Sequence, residues 1–207
     1  MFIVKNCIMK NELTYRGSVI LKYEIEYPQI FSDTYNTCKF NALNHKKALD
    51  LENYAKNILF KDAMDLYDYN YSNGYPIMVY ELVFKYTITY NKEPIISLYQ
   101  DEYIFSGGAH GNTVRTSQNW DLKYNDQFSL SDIYYDNPNY ILFILREINR
   151  QIVENGKELY FADYCSLVLD TFNINQFYIT PNYVVVYFGQ YDIAPYSTGI
   201  PEFKIIY

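Results

Sequence analysis

VYELVFKYTITYNKEPIISLYQDEYIFSGGAHGNT, residues 79–113, is the stretch that decides the fold. Tyr80, Leu82, Phe84, Tyr86, Ile88 and Tyr90 alternate with Glu81, Lys85, Thr87 and Thr89, the two-residue period of a half-buried strand. NKEP supplies a turn, and IISLYQDEYIF reads as a second strand, so the pair predicts an antiparallel hairpin. The glycine-rich FSGGAHGNT follows at once, and TVRTSQNWDLKYNDQFSL resumes strand-like alternation. The glycines therefore join two strands or mark a bulge.

Upstream, SVILKYEIEYPQI reads as a strand with Ile20, Lys22, Glu24 and Glu26 opposite Leu21, Tyr23, Ile25 and Tyr27, ended by Pro28. In NALNHKKALDLENYAKNILFKDAMDLYDY the period changes. Leu51, Tyr54, Ala55, Ile58 and Met64 predict one stripe of a long helix, with His45, Lys46, Lys47 and Lys56 on its wet side. Asn73, Gly74 and Pro76 stop it. Downstream, Asn137 and Pro138 predict the start of a second helix with the stripe Ile141, Ile144, Leu145, Ile148 and Ile152, closed at Gly156. ADYCSLVLDTF adds a short third helix. The chain ends in a strand, a turn at Pro181 and Asn182, the apolar strand YVVVYF, a loop and a last strand. The whole pattern predicts a single α+β domain over residues 1–207, an antiparallel sheet packed by two main helices.

Composition narrows the function. Lys and Arg total 17 against 24 Asp and Glu, a formal charge of −7. That balance argues against nucleic-acid binding, which needs a concentrated basic surface, and favours a cationic partner. The 26 tyrosines fit half-buried strands, with a minority available for a recognition surface. Cys7, Cys38 and Cys165 form neither a disulfide framework nor a metal cluster, so neither a metal nor a cofactor is expected. Lys5 and Lys10 interrupt the apolar start before it takes signal-peptide form, and no apolar run is long enough to span a membrane. On these grounds the default compartment is the cytoplasm.

Three readings of the glycine motif stand side by side: a catalytic cradle, an anion nest, or a tight bend that presents a surface. It has neither the lysine and threonine of a P-loop nor the GxSxG spacing of a nucleophile elbow. A Ser106, His110, Asp121 relay can be drawn, as can Cys165 with His110. A structural use of His110, its ring bonded to backbone in a tight strand connection, is the stronger expectation.

The segments YIFSGGAHGNT, NWDLKYNDQFSLSDIY and FYITPNYVVVYFGQYDIAPYSTGIPEFKI together resemble the RsiV-like extracellular domains of lysozyme-binding anti-sigma factors. They are also similar to the non-catalytic N-terminal domain of the peptidoglycan deacetylase PdaC. The motifs that carry the resemblance are Gly107 to Gly111, Asn119 to Asp121, Leu130 to Ile133 and Tyr191 to Gly199, within 75–207. The resemblance implies binding rather than chemistry, by a module without an anti-sigma segment or a deacetylase domain, and it places that module outside the cell. The partner it implies is a lysozyme-like cationic protein or a peptidoglycan fragment. Ser106, Gly107, Gly108, His110 and Asn112 in one bend, and Tyr191, Asp192, Pro195 and Tyr196 in the other, are then the binding residues. The two bends are expected side by side, with Asp192 adding acidic complementarity. The alternative is a hydrolase acting on a cell-wall glycan or ester with His110 in the site.

Overall fold

The computed structural model describes residues 1–207 in the order β1 (Ile3–Tyr15), β2 (Ser18–Phe31), α1 (Cys38–Tyr54), α2 (Phe60–Asn73), β3 (Tyr80–Lys92), β4 (Ile95–Phe105), β5 (Asn112–Asp121) and β6 (Asp126–Gln127). There follow α3 (Leu130–Ile133), α4 (Tyr140–Asn155), α5 (Tyr164–Thr171), β7 (Phe177–Ile179), β8 (Tyr183–Tyr187) and β9 (Glu202–Ile206). The class is α+β, as the sequence predicts, with more helices than the two main ones expected. The chain divides into two compact units: residues 2–86 with 100–114, and residue 1 with 87–99 and 115–207. Strands β3, β4 and β5 contribute residues to both.

In the first unit the strand order is β1-β2-β3-β4-β5. Arg16 and Gly17, both at positive φ, turn β1 into β2, the two-residue hairpin geometry that matches strand twist. The helical crossover from β2 makes β3 run parallel to it, with Leu21 opposite Tyr80 and Ile25 opposite Phe84. Ile20, Leu21, Tyr23 and Ile25 of β2 pack with Leu82 and Phe84 of β3 under the helices. β3 and β4 are neighbours, as the hairpin reading expects, and the alternation holds at the start of β3, where Tyr80, Leu82 and Phe84 are buried and Glu81 and Lys85 exposed, while Tyr86, Ile88 and Tyr90 are only half-buried.

Three local expectations are corrected. β2 does not stop at Pro28 but continues to Phe31. Its β3 partner ends at Ile25, so the missing proline N–H costs no ladder bond on that side. Beyond it the Asn41 side chain accepts the Ile30 N–H at 2.8 Å and donates to the Ile30 carbonyl at 2.9 Å, standing in for a strand. The helical stripe runs through Ala48, Leu51, Ala55, Leu59, Ala63 and Tyr67, whereas Tyr54 and Ile58 are exposed. Steps of four over-rotate an α-helix by about 40° each; the single π-helical turn Ala55–Leu59 is wider and takes up that drift. Lys47 is only partly on the wet face: its side chain is 39% exposed and its Nζ reaches Glu102 at 2.7 Å.

A buried amide pair also holds this unit together. Asn44, fully buried on α1, donates to the Phe40 carbonyl at 2.9 Å and accepts from Gln100 of β4 at 2.8 Å.

In the second unit β7, β8 and β9 form an antiparallel meander. Ile144, Ile148 and Ile152 of α4 and Val168 of α5 pack on Phe177, Ile179, Val184, Val186, Phe203 and Ile205. Of the predicted stripe, Ile144, Ile148 and Ile152 are buried and Leu145 is half-buried, whereas Ile141, at the start of the helix, is exposed. The start of α4 is not the predicted one: Asn137 Oδ1 accepts the Asn139 N–H at 3.0 Å, a local turn, and the helix begins at Tyr140. A capping box of Ser129 and Asp132 starts α3, and the Ser129 hydrogen bonds hold the Asp132 carboxyl below its ordinary pKa. Ser97 of β4 donates to Asn119 Oδ1 at 2.7 Å and accepts the Ile179 N–H at 3.0 Å, while Asn119 Nδ2 donates to the Phe177 carbonyl at 2.9 Å. Asn119, read above as part of a family motif, is therefore a buried fastener between β5 and β7. No helix is long and apolar enough to cross a membrane.

Candidate functional site

Each glycine of the first bend has its own physical reason. Gly107 and Gly108 both adopt positive φ, +91° and +96°, a region that side chains strain. A Cβ on Gly107 would also press to 3.2 Å from Leu66 Cδ2, whereas one on Gly108 would meet nothing within 4 Å. Gly111 is buried, and a Cβ there would fall 2.5 Å from Tyr103 Cζ and 2.6 Å from the Ile104 carbonyl oxygen. The requirement at Gly111 is therefore steric. His110 is exposed, with Nδ1 3.0 Å from the Gly111 carbonyl oxygen. Ser106, Gly108 and Asn112 are exposed beside it. The bend is thus locked from beneath and open on top.

What borders it was not legible in the motif. Gly107 lies against Leu66 of α2 and Met78 of the connection to β3. On that helix and connection Tyr69 is 60% exposed and Tyr75 55%, their rings 6.1 Å apart. Tyr71, Ile77 and Met78 are exposed as well. Asp62 and Asp65, both exposed, sit one turn before Leu66 and Tyr69 on α2. Burial and the neighbouring Asp62 charge raise the Tyr80 phenol pKa, and a Cβ on Gly107 would stand 3.9 Å from the same Tyr80 ring. The first unit so presents aromatic rings, two carboxylates and a glycine bend in close succession. The available sequence signal was the tyrosine run YDYNYSNGY at 67–75, too dense for one helix face to bury.

The second bend belongs to the second unit. Tyr191 is 47% exposed at φ +70°, its ring 5.8 Å from that of Tyr196. Ile193 and Ala194 are fully buried, and the Ile193 carbonyl accepts the Phe161 N–H at 3.1 Å. Thr198 Oγ1 donates to the Leu159 carbonyl at 3.0 Å. Pro195, half-buried, leads into the turn Tyr196–Thr198. Asp192 Oδ2 accepts the Gly189 N–H at 2.6 Å, so this carboxylate braces its own loop. The exposed acids flanking the bend are instead Glu158 and Asp163, on the segment that Leu159 and Phe161 tie to it.

For the drawn relay, His110 and Ser106 lie in the first unit and Asp121 and Cys165 in the second. The Asp121 carboxylate accepts the Lys123 N–H at 2.9 Å as a turn cap. No group of three or more His, Cys, Asp or Glu side chains is placed to hold a metal ion.

Known proteins resemble this chain in sequence and in fold. Residues 16–113 match the family described as deacetylase PdaC, and residues 131–207 match the family described as a protein of unknown function, DUF3298. The chain is 30% identical to the peptidoglycan-N-acetylmuramic acid deacetylase PdaC of Bacillus subtilis (strain 168) over 118 residues, 55% of this chain and 25% of that protein. A DUF3298 family member from Bacteroides fragilis NCTC 9343 superimposes with a TM-score of 0.71 at 19% identity, covering 100% of this chain and 90% of that one. A DUF3298 family protein from Pseudomonas aeruginosa PAO1 gives 0.67 at 16% identity, covering 100% and 91%. The chain thus shares the fold of the DUF3298 structures, and its sequence is similar to a quarter of the deacetylase.

Proposed function

We propose that the chain is a non-enzymatic recognition module for a cationic protein, with a lysozyme-type enzyme as the partner. The observation that carries this reading is the exposed set Tyr69, Tyr75, Met78, Gly108 and His110 beside Asp62 and Asp65 in the first unit. Tyrosines give large contact area at small conformational cost, and carboxylates at their margin steer a basic partner. The formal charge of −7 acts in the same direction. The resemblance of the GGAHG and YDIAPYSTG bends to lysozyme-binding domains supports the choice of partner. Tyr191 and Tyr196 beside Glu158 and Asp163 offer a second surface of the same chemistry. In this reading His110 contributes a contact rather than a proton, and the deacetylase named PdaC shares a binding part with this chain rather than its reaction.

Calorimetric titration with lysozyme at low and at moderate salt tests the reading. Binding heat at low salt that weakens as salt screens the carboxylates is expected, and Tyr69→Ala should weaken affinity about tenfold, as loss of an interface anchor does. Absence of heat at low salt removes the lysozyme partner. Heat from a muropeptide that salt leaves unchanged replaces it with a glycan.

A further inference from the structure

Strand β1 is the end strand of its sheet, so the side turned away from β2 carries unpaired backbone groups along 13 residues. Between Ile3 and Leu13 it pairs with β2 without irregularity, and a bulge falls between Leu13 and Thr14. No proline interrupts it, and two of its aliphatic side chains face solvent, Ile3 at 71% and Ile8 at 55% exposure. Such an edge is a template for another strand.

We propose that β1 pairs antiparallel with β1 of a second copy of this chain, about a two-fold axis through Ile8. A two-fold axis perpendicular to the sheet keeps like faces together, so the numbers of opposed residues must sum to an even value. Ile8 is the midpoint of the regular stretch from Ile3 to Leu13, so the register centred there uses all of it. It opposes Ile3 to Leu13, Val4 to Glu12, Lys5 to Asn11, Asn6 to Lys10 and Cys7 to Met9. No charge meets its like, both lysines face an asparagine, and the two exposed Ile8 side chains cover each other. The register centred on Lys10 would set two lysines against each other. The register centred on Ile8 is the one that uses the whole regular stretch, and this self-complementarity is why a second copy is the occupant. The inference is independent of the proposed recognition surface, which uses neither Ile8 nor β1.

Sedimentation velocity across a wide range of protein concentration tests it, alongside deuterium uptake of residues 3–13 in the unmodified chain. A reversible monomer–dimer equilibrium is expected, with slower uptake in 3–13 at high concentration. Ile8→Lys opposes two lysines at the axis while leaving an exposed position exposed, and it should raise the dimer dissociation constant at least about tenfold. A monomer at every concentration overturns the proposal, as does a dimer that Ile8→Lys leaves unchanged. Should Ile8→Lys fail to fold by circular dichroism, uptake in the unmodified chain decides: protection of 3–13 that does not vary with concentration overturns the pairing.

Discussion

Alanine substitution at the three glycines of the first bend separates steric from dihedral necessity. At Gly108 the added methyl meets nothing within 4 Å, so the cost is that of a side chain at φ +96°, about 1–2 kcal/mol. At Gly111 no positive φ is involved, but the methyl falls 2.5 Å from Tyr103 Cζ and 2.6 Å from the Ile104 carbonyl oxygen. The ring can swing away; the carbonyl belongs to β4 and moves only with the strand. The cost is overpacking, typically about 1–3 kcal/mol, and the backbone component places it near the top of that range. Gly107 combines φ +91° with a Leu66 contact at 3.2 Å, which a flexible side chain can relieve. The expected order of destabilisation is therefore Gly111→Ala, then Gly107→Ala, then Gly108→Ala. Thermal unfolding reads it directly, since about 2–4 °C is lost per kcal/mol in a chain of this size. Tyr103→Ala in the Gly111→Ala background should recover part of the loss and not all, because the Ile104 oxygen remains. Full recovery, or a Gly111→Ala protein as stable as Gly108→Ala, refutes the steric assignment. Lysozyme affinity should fall with Gly108→Ala if the open top of the bend is a contact.

Asn119→Ala removes the donor to the Phe177 carbonyl and the acceptor of the Ser97 O–H in a buried setting, so urea denaturation should show a loss of about 2–4 kcal/mol, and a loss under about 1 kcal/mol denies the fastener role. Burial, with the Tyr207 charge second, pushes the Tyr134 phenol up to about 12 from 10.0. Its folded pKa lies above its unfolded one, so the stabilisation is complete below about pH 10 and lost as pH rises toward 12. Tyr134→Phe should then show a shallower alkaline decline in denaturation midpoint; an identical decline in both proteins counts against it. Arg115 stacks over the Tyr99 ring at 3.8 Å while pairing with Glu202. Arg115→Lys keeps the charge and loses the planar stack, a cost of about 1 kcal/mol readable by melting temperature; no change would show that charge alone matters there.

What the sequence disclosed was set by how local each cause is. The alternation of Tyr80, Leu82 and Phe84 and the buried positions Ile144, Ile148 and Ile152 each follow from burial against one layer, and the run YVVVY from burial of both its faces; Ile141, read with its stripe, and Tyr183 are the exposed exceptions. β1 escaped notice because Lys5 and Lys10, which break an apolar segment, are ordinary on an edge strand. Pro28 was misjudged because its tolerance depends on where the pairing of β2 with β3 ends, at Ile25 and Phe84, a fact of pairing rather than of the dipeptide. The π-helical turn Ala55–Leu59 is invisible to a fixed period of 3.6, and within it Ile58 faces solvent while Ala55 and Leu59 are buried. At the candidate site the glycines announced a special bend, and their residue types fitted it. Leu66 and Met78 reach that bend only through the helical crossover, so no spacing in the motif could have named them, whereas the density of tyrosines over 67–75 was the signal for Tyr69 and Tyr75. Asp192 was correctly placed in its loop by sequence, yet its hydrogen bond to Gly189 is a product of the loop's own closure.

Amide chemical-shift mapping of the isotopically labelled chain during titration with unlabelled lysozyme at low salt asks the decisive question in one measurement. Saturating shifts confined to Asp62–Tyr75, Met78 and Ser106–Asn112, with or without a second set at Tyr191–Tyr196, are expected, and they should collapse as salt is added. Spectra unmoved at saturating lysozyme, or shifts spread without regard to these tyrosines and carboxylates, would contradict an acidic aromatic surface built to hold a basic partner.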